Sequence, residues 1–175
     1  MKAKTEQNTG FKPQTALEIR TPEANDGRAI HALVKASGAL DVNSEYVYLL
    51  LGVHFQETCA IAEINGNTAG FVSAYVLPKQ QDTLFVWQVA VNASYQKQGL
   101  ALAMLKHILQ RASCQNIRYV QATISPSNLA SRSLFMSLAR EYGAPLNEQP
   151  MFPSDYFHHQ HEAEPLITIG PLEYE

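Results

Sequence analysis

The sequence predicts an α+β domain built on one mixed sheet, and three observations predict it. Short Val- and Ile-rich runs alternate with helical patterns along the chain, as expected of a sheet covered by helices. The 175 residues are enough for one full core and leave little room for two. Hydrophobic residues make up 46% and charged residues 17%, the balance of an ordinary soluble globular protein, so the apolar runs are to be read as core.

Taken in order, ALEIRTP reads as a first strand. NDGRAIHALVKAS follows as a helix, with Ile30, Leu33 and Val34 on one face and Gly38 as its stop. LDVNSEYVYLLLGVHF is a second helix, entered through Asp41, Asn43 or Ser44, all good N-cap types. TCAIAEINGNTAGFVSAYVL has the form of a hairpin whose Asn65-Gly66 sits in a connection long enough for a bulged turn. TLFVWQVAV is apolar on both faces, as expected of a central strand covered on each side. The helix after Gly99 sets Leu105, Ile108 and Leu109 against a polar face of Lys106, His107, Gln110 and Arg111. NIRYVQATI is another strand. The helix after it has Ser125 as N-cap, Pro126 at its first position, Gly143 as its stop and Pro145 beyond. SDYFHHQHEAE is irregular and polar, and PLITIGPL is a last strand. The expected order is β-α-α-β-β-β-α-β-α-β.

A net charge of -3 argues against a nucleic-acid surface, which normally carries a basic excess. Cys59 and Cys114 are too few and too far apart for a disulfide framework and read as buried free thiols of a reducing compartment. The leading MKAKTEQNTGFKPQT has no apolar core, and no apolar run approaches the roughly 18 residues of a membrane span. The expectation is a cytoplasmic protein with a disordered tail over residues 1–14 and one domain over residues 15–175.

The stretch VAVNASYQKQGLALAMLKHIL carries the first chemical signal. A strand breaks into a polar turn with one glycine and opens a helix. Helix N-termini present unpaired N–H groups and the positive end of the dipole, and a glycine lets the backbone close on a pyrophosphate without a Cβ in the way. The pattern Gln96-Lys97-Gln98-Gly99-Leu100-Ala101 resembles the acyl-CoA loop of the GNAT acetyltransferases. Asn128-Leu129-Ala130-Ser131-Arg132-Ser133-Leu134-Phe135 lies where members of that family carry Asn-x-x-[Ala/Ser]. The resemblance implies the family's fold, a mixed, mostly antiparallel twisted sheet flanked by helices. It implies acetyl-CoA as cosubstrate, held by Val89, Ala90 and Val91 of the central strand, by Gln96, Lys97, Gln98, Gly99, Leu100 and Ala101, and by Asn128, Arg132 and Phe135. It also implies direct attack of a neutral amine on the thioester, with strand N–H groups holding the oxyanion and no metal required. Two residues depart from the pattern. Phe135 stands where many relatives place a tyrosine that protonates the leaving thiolate, and Gln88 where many carry a glutamate base. A thiolate with a pKa of about 8.5 leaves tolerably well without an acid.

DVNSEYVYLLLGVHF, QDTLFVWQVAVNASYQKQGLALAML, SPSNLASRSLF and HEAEPLITIG together resemble, in order, one branch of that family. Its members acetylate the 4-amino group of L-2,4-diaminobutyrate in ectoine synthesis, and the likeness runs from about Leu17 to Pro171. Such a substrate carries two ammonium groups and one carboxylate, so its pocket needs acidic or polar acceptors and a donor. Asp41, Asn43, Ser44, Tyr46, Trp87, His161, Glu162 and Glu164 are the candidates. Asp41 reads equally as a helix cap, and Trp87 as core or as a wall against the methylenes. His161 and Glu164 are the candidate proton acceptors. His158, His159 and His161 crowd one loop, but their spacing fits no helix-based ligand pair and no metal site is expected. A homodimer is expected, since relatives often dimerise. The rival readings are acetylation of a polyamine or a peptide N-terminus, and a CoA-binding module without turnover.

Overall fold

Seven strands and four α-helices follow one another in the computed structural model, which describes residues 16–38, 40–158 and 161–173. They are β1 (Leu17–Arg20), α1 (Gly27–Ser37), α2 (Glu45–His54), β2 (Ala60–Ile64), β3 (Asn67–Leu77) and β4 (Gln80–Val91), then α3 (Leu100–Leu109), β5 (Tyr119–Thr123), α4 (Leu129–Glu141), β6 (Leu146–Phe152) and β7 (Glu164–Ile169). The expected disordered tail, residues 1–14, lies outside the described residues, as does His159. The strands form one sheet in the order β1-β2-β3-β4-β5-β7-β6. Every pairing is antiparallel except β4 with β5, which the helical crossover α3 makes possible.

Alternation along β2 and β3 divides the core into two layers. Ile61 and Phe71 point to one face, where they meet Ile30, Leu33 and Val34 of α1 and Tyr48 and Leu51 of α2. Ala60, Ala62 and Val72 point to the other, where Met104, Leu105 and Ile108 of α3 and Phe135 and Leu138 of α4 cover them. Each of these large apolar side chains contributes about 1.5–3 kcal/mol on burial, so the helical periodicity read from the sequence translates directly into packing. Both cysteines are buried and unpaired.

Four expectations need correction. The β2–β3 connection is tight: Ile64 pairs with Asn67, and Asn65 and Gly66 both hold positive φ, 52° and 76°. That is the two-residue turn whose twist matches the strands, and the bulge lies instead between Ala62 and Glu63. Helix α4 starts three residues later than expected from Pro126 at its first position. Ser125-Pro126-Ser127-Asn128 forms a turn closed by the Asn128 N–H to the Ser125 carbonyl (3.1 Å), and Asn128 is the N-cap, accepting from the Ser131 N–H at 3.1 Å. The sequence reading left β6 out. LNEQPMF is polar and contains Pro150, the profile of an exposed edge strand, and its register with β7 shifts between Gln149 and Phe152, around that proline. Finally, β4 is covered on both faces only in part, because Phe85, Trp87 and Val89 face an opening described next.

Candidate active site

The parallel pairing of β4 with β5 covers only Thr83 to Phe85. From Val86 onward β4 stays with β3, while β5 turns to β7, so the sheet splits into a wedge. A bulge sharpens the split. Ser73 faces Gln88 and Ala74 faces Val86, which leaves Trp87 as the extra residue of β4. A bulge re-aims the side chain it carries, and Trp87 is 45% exposed on the cleft wall. The cleft has a volume of about 770 Å³. It runs from β4 across Gln121 and Thr123 of β5 to Asn128 and Phe135 near α4, and is closed by Asp41, Asn43, Phe157, His161 and Glu164.

At the end of β4 the chain makes a single turn, Ala93–Tyr95, capped by the Asn92 side chain, which accepts from the Ser94 N–H at 3.0 Å. The Gln96 amide donates to the Val91 carbonyl (3.2 Å) and the Gln98 amide to the Ser94 carbonyl (3.1 Å), so both side chains fold the loop onto itself. Lys97 (φ 60°) and Gly99 (φ 79°) are left-handed, and α3 starts immediately after. Alternating backbone hands at a helix start turn successive N–H groups toward one side, a concavity that suits an anion. A side chain at Gly99 would meet no atom within 4 Å, so the positive φ, not crowding, calls for glycine there. Leu100 is buried in the core, as is the side chain of Ala90, which leaves their backbone as what they can offer.

The opposite wall is built from β5, β7 and the segment before β7. The Thr123 hydroxyl donates to Glu164 Oε2 at 2.6 Å. Glu164 Oε1 lies 3.8 Å from His161 Nε2, too far for a direct hydrogen bond. His161 Nδ1 lies 2.7 Å from the Glu162 carbonyl, and a carbonyl only accepts, so Nδ1 carries the proton. In the neutral ring Nε2 therefore offers a lone pair toward a carboxylate oxygen, two acceptors facing across a gap. Phe157 stacks on the ring (centroids 4.1 Å apart, planes at 22°) and fixes its orientation.

Of the residues singled out from the sequence, Asp41, Asn43, Trp87, Val89, Asn128, Phe135, His161 and Glu164 line this cleft. Tyr46 does not; it is 65% exposed on α2. Glu162 turns away and accepts from the Ser127 N–H at 3.0 Å, holding the loop before α4 against the loop before β7. Arg132 pairs with Glu148 of β6 and donates to the Ile124 carbonyl (3.4 Å). Gln96 to Gly99, with Ala101 on the first turn of α3, form the adjoining loop rather than the cleft wall. The sequence reading missed Thr123, Phe157 and the use made of Gln88. A signal existed for one of them: Gln121 and Thr123 are polar at i, i+2 in an otherwise apolar strand, which places both on one face. Nothing in the sequence tied Thr123 to Glu164, 41 residues away. Among the described residues no group of three or more His, Cys, Asp or Glu side chains is placed to hold a metal ion. Burial pushes the Cys59 thiol up to about 11, so it stays protonated.

The acetyltransferase (GNAT) family profile matches residues 29–139. The chain is 47% identical over 165 residues to the L-2,4-diaminobutyric acid acetyltransferase of Bordetella parapertussis, covering 92% of this chain and 89% of that protein. It is 43% identical to the protein of the same name from Halalkalibacterium halodurans, over 90% and 84% of the two chains. It also superposes on the diaminobutyrate acetyltransferase EctA of Paenibacillus lautus, solved with L-2,4-diaminobutyric acid and coenzyme A. There the TM-score is 0.88 at 43% identity, over 93% of this chain and 99% of that one.

Proposed function

The chain belongs to the GNAT acetyltransferase family, and from that premise we propose that it is an acetyl-CoA-dependent acetyltransferase of the 4-amino group of L-2,4-diaminobutyrate, in ectoine synthesis. One observation carries the reading: a solved relative that holds both diaminobutyric acid and coenzyme A matches 93% of the chain at 43% identity.

Acetyl-CoA supplies the activated thioester. The residues fit it: the Lys97–Gly99 turn and the first N–H groups of α3 suit the pyrophosphate, and the opened edge of β4 offers peptide N–H groups to the thioester oxygen. In our reading Asn128 caps α4 with its oxygen and keeps its NH2 for the cosubstrate, and Val89 to Val91 contribute backbone. Arg132, although paired with Glu148, stays a candidate for a phosphate at the edge of the site.

For the acceptor we assign the gap between Glu164 Oε1 and His161 Nε2 to the reacting amine. Seated beside the pair, whose two atoms are 3.8 Å apart, an ammonium donates one N–H to each acceptor. Loss of one proton to His161 or Glu164 frees the nitrogen lone pair, and the new N–C bond forms at the thioester carbon. The nitrogen gives up its second proton to the other of the two, and the C–S bond breaks as CoA thiolate leaves. Phe135 has no proton to give the thiolate, and departure without an acid accords with the low basicity of a thiolate. The Asp41 carboxylate takes the second ammonium, and the Trp87 face packs against the methylenes. Tyr46 and Glu162 are assigned to no substrate contact.

The test is CoA release with L-2,4-diaminobutyrate, ornithine, lysine, spermidine and a short peptide in parallel, with mass spectrometry of the product. Preference for diaminobutyrate with acetylation at N4 supports the reading. Turnover of spermidine or peptide alone, or acetyl-CoA binding with no turnover, refutes it.

The homodimer implied by the resemblance is proposed to form over α2. That helix is apolar nearly all round, yet Tyr46, Leu49 and Val53 stand exposed on its outer side, an arrangement that calls for cover. Sedimentation of the parent and of Val53→Glu tests it, since the variant is expected to run as a monomer. Among the described residues no helix is long and apolar enough to cross a membrane. A cytoplasmic location is proposed from the two unpaired, buried thiols.

A further inference from the structure

Gln88 is a buried polar side chain on the cleft wall, 4% exposed, and its amide does not ionise. Both ends of its amide are engaged. Its oxygen accepts from the Tyr48 hydroxyl at 3.3 Å, and its NH2 donates to the Asp41 carbonyl at 2.9 Å. The orientation is forced, because the Asp41 carbonyl can only accept. The anchor is rigid on its other side too. The Gln88 N–H donates to Ser73 Oγ (3.1 Å), and Tyr48 is fully buried and set edge-on to Phe71 (6.2 Å, 77°).

What the amide holds is the segment 40–43 between α1 and α2, from which Asp41 and Asn43 reach the cleft. Among the described residues, that segment is hydrogen-bonded to the rest of the fold only at the Asp41 carbonyl. The clamp spans 47 residues of sequence. It leaves from the position next to the Trp87 bulge, so one strand irregularity sets both the tryptophan wall and the Asp41 wall.

We infer that Gln88 is a positioning residue that sets amine affinity: it holds Asp41 and Asn43 at the distance from Trp87 that the acceptor amine requires. This rests on the reading of the cleft as the amine site. Gln88 touches no reacting atom and acts through the 40–43 segment alone.

The test is steady-state kinetics toward both substrates for Gln88→Met, Gln88→Glu and Tyr48→Phe, with thermal melting of each. In Gln88→Met the KM for diaminobutyrate is expected to rise about tenfold, the size of one lost hydrogen bond at a buried carbonyl. The KM for acetyl-CoA stays within about twofold, and kcat falls by less than the amine KM rises. Tyr48→Phe leaves the Asp41 bond intact and raises the amine KM less. Gln88→Glu supplies a readout that loss of packing would not give. An ionised carboxylate opposes the Asp41 carbonyl, whereas a protonated one donates the missing bond, so its amine KM relative to Gln88→Met improves as pH falls. The ionisable groups next to position 88 or lining the cleft with it include Asp41, Tyr48, His31, Tyr75, His161 and Glu164; both variants share them, so the ratio isolates position 88. An unchanged amine KM in Gln88→Met, an equal rise in both KM values with a lowered Tm, or failure of both Gln88 variants to fold overturns the inference. A parent enzyme that turns over no diaminobutyrate refutes the function reading instead, which keeps the two failures distinguishable.

Discussion

Residues 92–99 and the described residues 157–158 and 161–164 are both polar segments beside β-strands, yet they are held by opposite means. The first is stitched locally: Asn92 caps its own turn, Gln96 reaches Val91 and Gln98 reaches Ser94, none more than five residues away. The second is held from afar. Glu162 is tied to Ser127 across 35 residues and Glu164 to Thr123 across 41, and the Phe157–His161 stack and the His161 Nδ1–H bond to the Glu162 carbonyl add local contacts. In the function proposed, the local loop serves the cosubstrate common to the family and the distant wall serves the particular amine. A shape that must recur across many proteins is secured within one contiguous stretch. A shape that distinguishes one acceptor from another is assembled by the sheet from residues that never neighbour each other in sequence.

Substitutions that separate the two loops test this division, and the largest effect belongs to the distant wall. Glu164→Gln or His161→Ala is expected to lower kcat/KM for diaminobutyrate by about 10²–10⁴, the usual worth of a proton acceptor. Calorimetry should find acetyl-CoA affinity unchanged; a parallel loss would break the division. Gly99→Val forces a β-branched residue into φ 79°, a strain of about 1–3 kcal/mol. Relief by distorting the loop should weaken acetyl-CoA binding by up to about 100-fold while the diaminobutyrate KM holds. Thr123→Val removes the hydroxyl bonded to Glu164. A charge-assisted bond is lost, so kcat/KM should fall about tenfold, and urea titration should show stability lowered by at most about 1.5–3 kcal/mol.

Two further changes act outside both loops and calibrate the comparison. Gly66→Ala places a Cβ at φ 76° in the β2–β3 turn and should cost about 1 kcal/mol, or about 3 °C in Tm, with kinetics intact. Asp26→Asn breaks the pair with Arg20, whose hydrogen bonds hold the Asp26 carboxyl below the usual carboxylate range. A depressed carboxylate pKa stabilises the fold above the unfolded value of about 3.9, and that contribution is lost as pH falls through the lower, folded value. The variant should therefore trail the parent by less than about 1 kcal/mol at neutral pH. The gap should hold down to about pH 4 and close below it. A gap that widens in acid would refute the assignment.

The same contrast explains what could be read from the chain. The helical faces of α1 and α3, the caps at Gly38 and Gly99 and the hairpin at Asn65-Gly66 were legible because periodicity and turn chemistry are local properties. Strand β6 was not, because an exposed edge strand lacks the apolar alternation that announces a strand. The start of α4 was misplaced because Ser125-Pro126 satisfies the rules for a helix N-terminus and for a turn equally well, and the Asn128 side chain decided between them. At the site, His161 and Glu164 stood out only through resemblance, and their partners Thr123 and Phe157 did not stand out at all.

By itself, then, the sequence determined the two-layer core, the order of all elements but β6, and the loop before α3, since each depends on residues within a few positions of one another. Tertiary structure alone decided where β4 parts from β5, that Trp87 is the bulged residue, and which side chains meet across the cleft. The physical reason is that strand pairing and bulges are set by competition among long-range hydrogen bonds, and no single stretch of chain contains both partners.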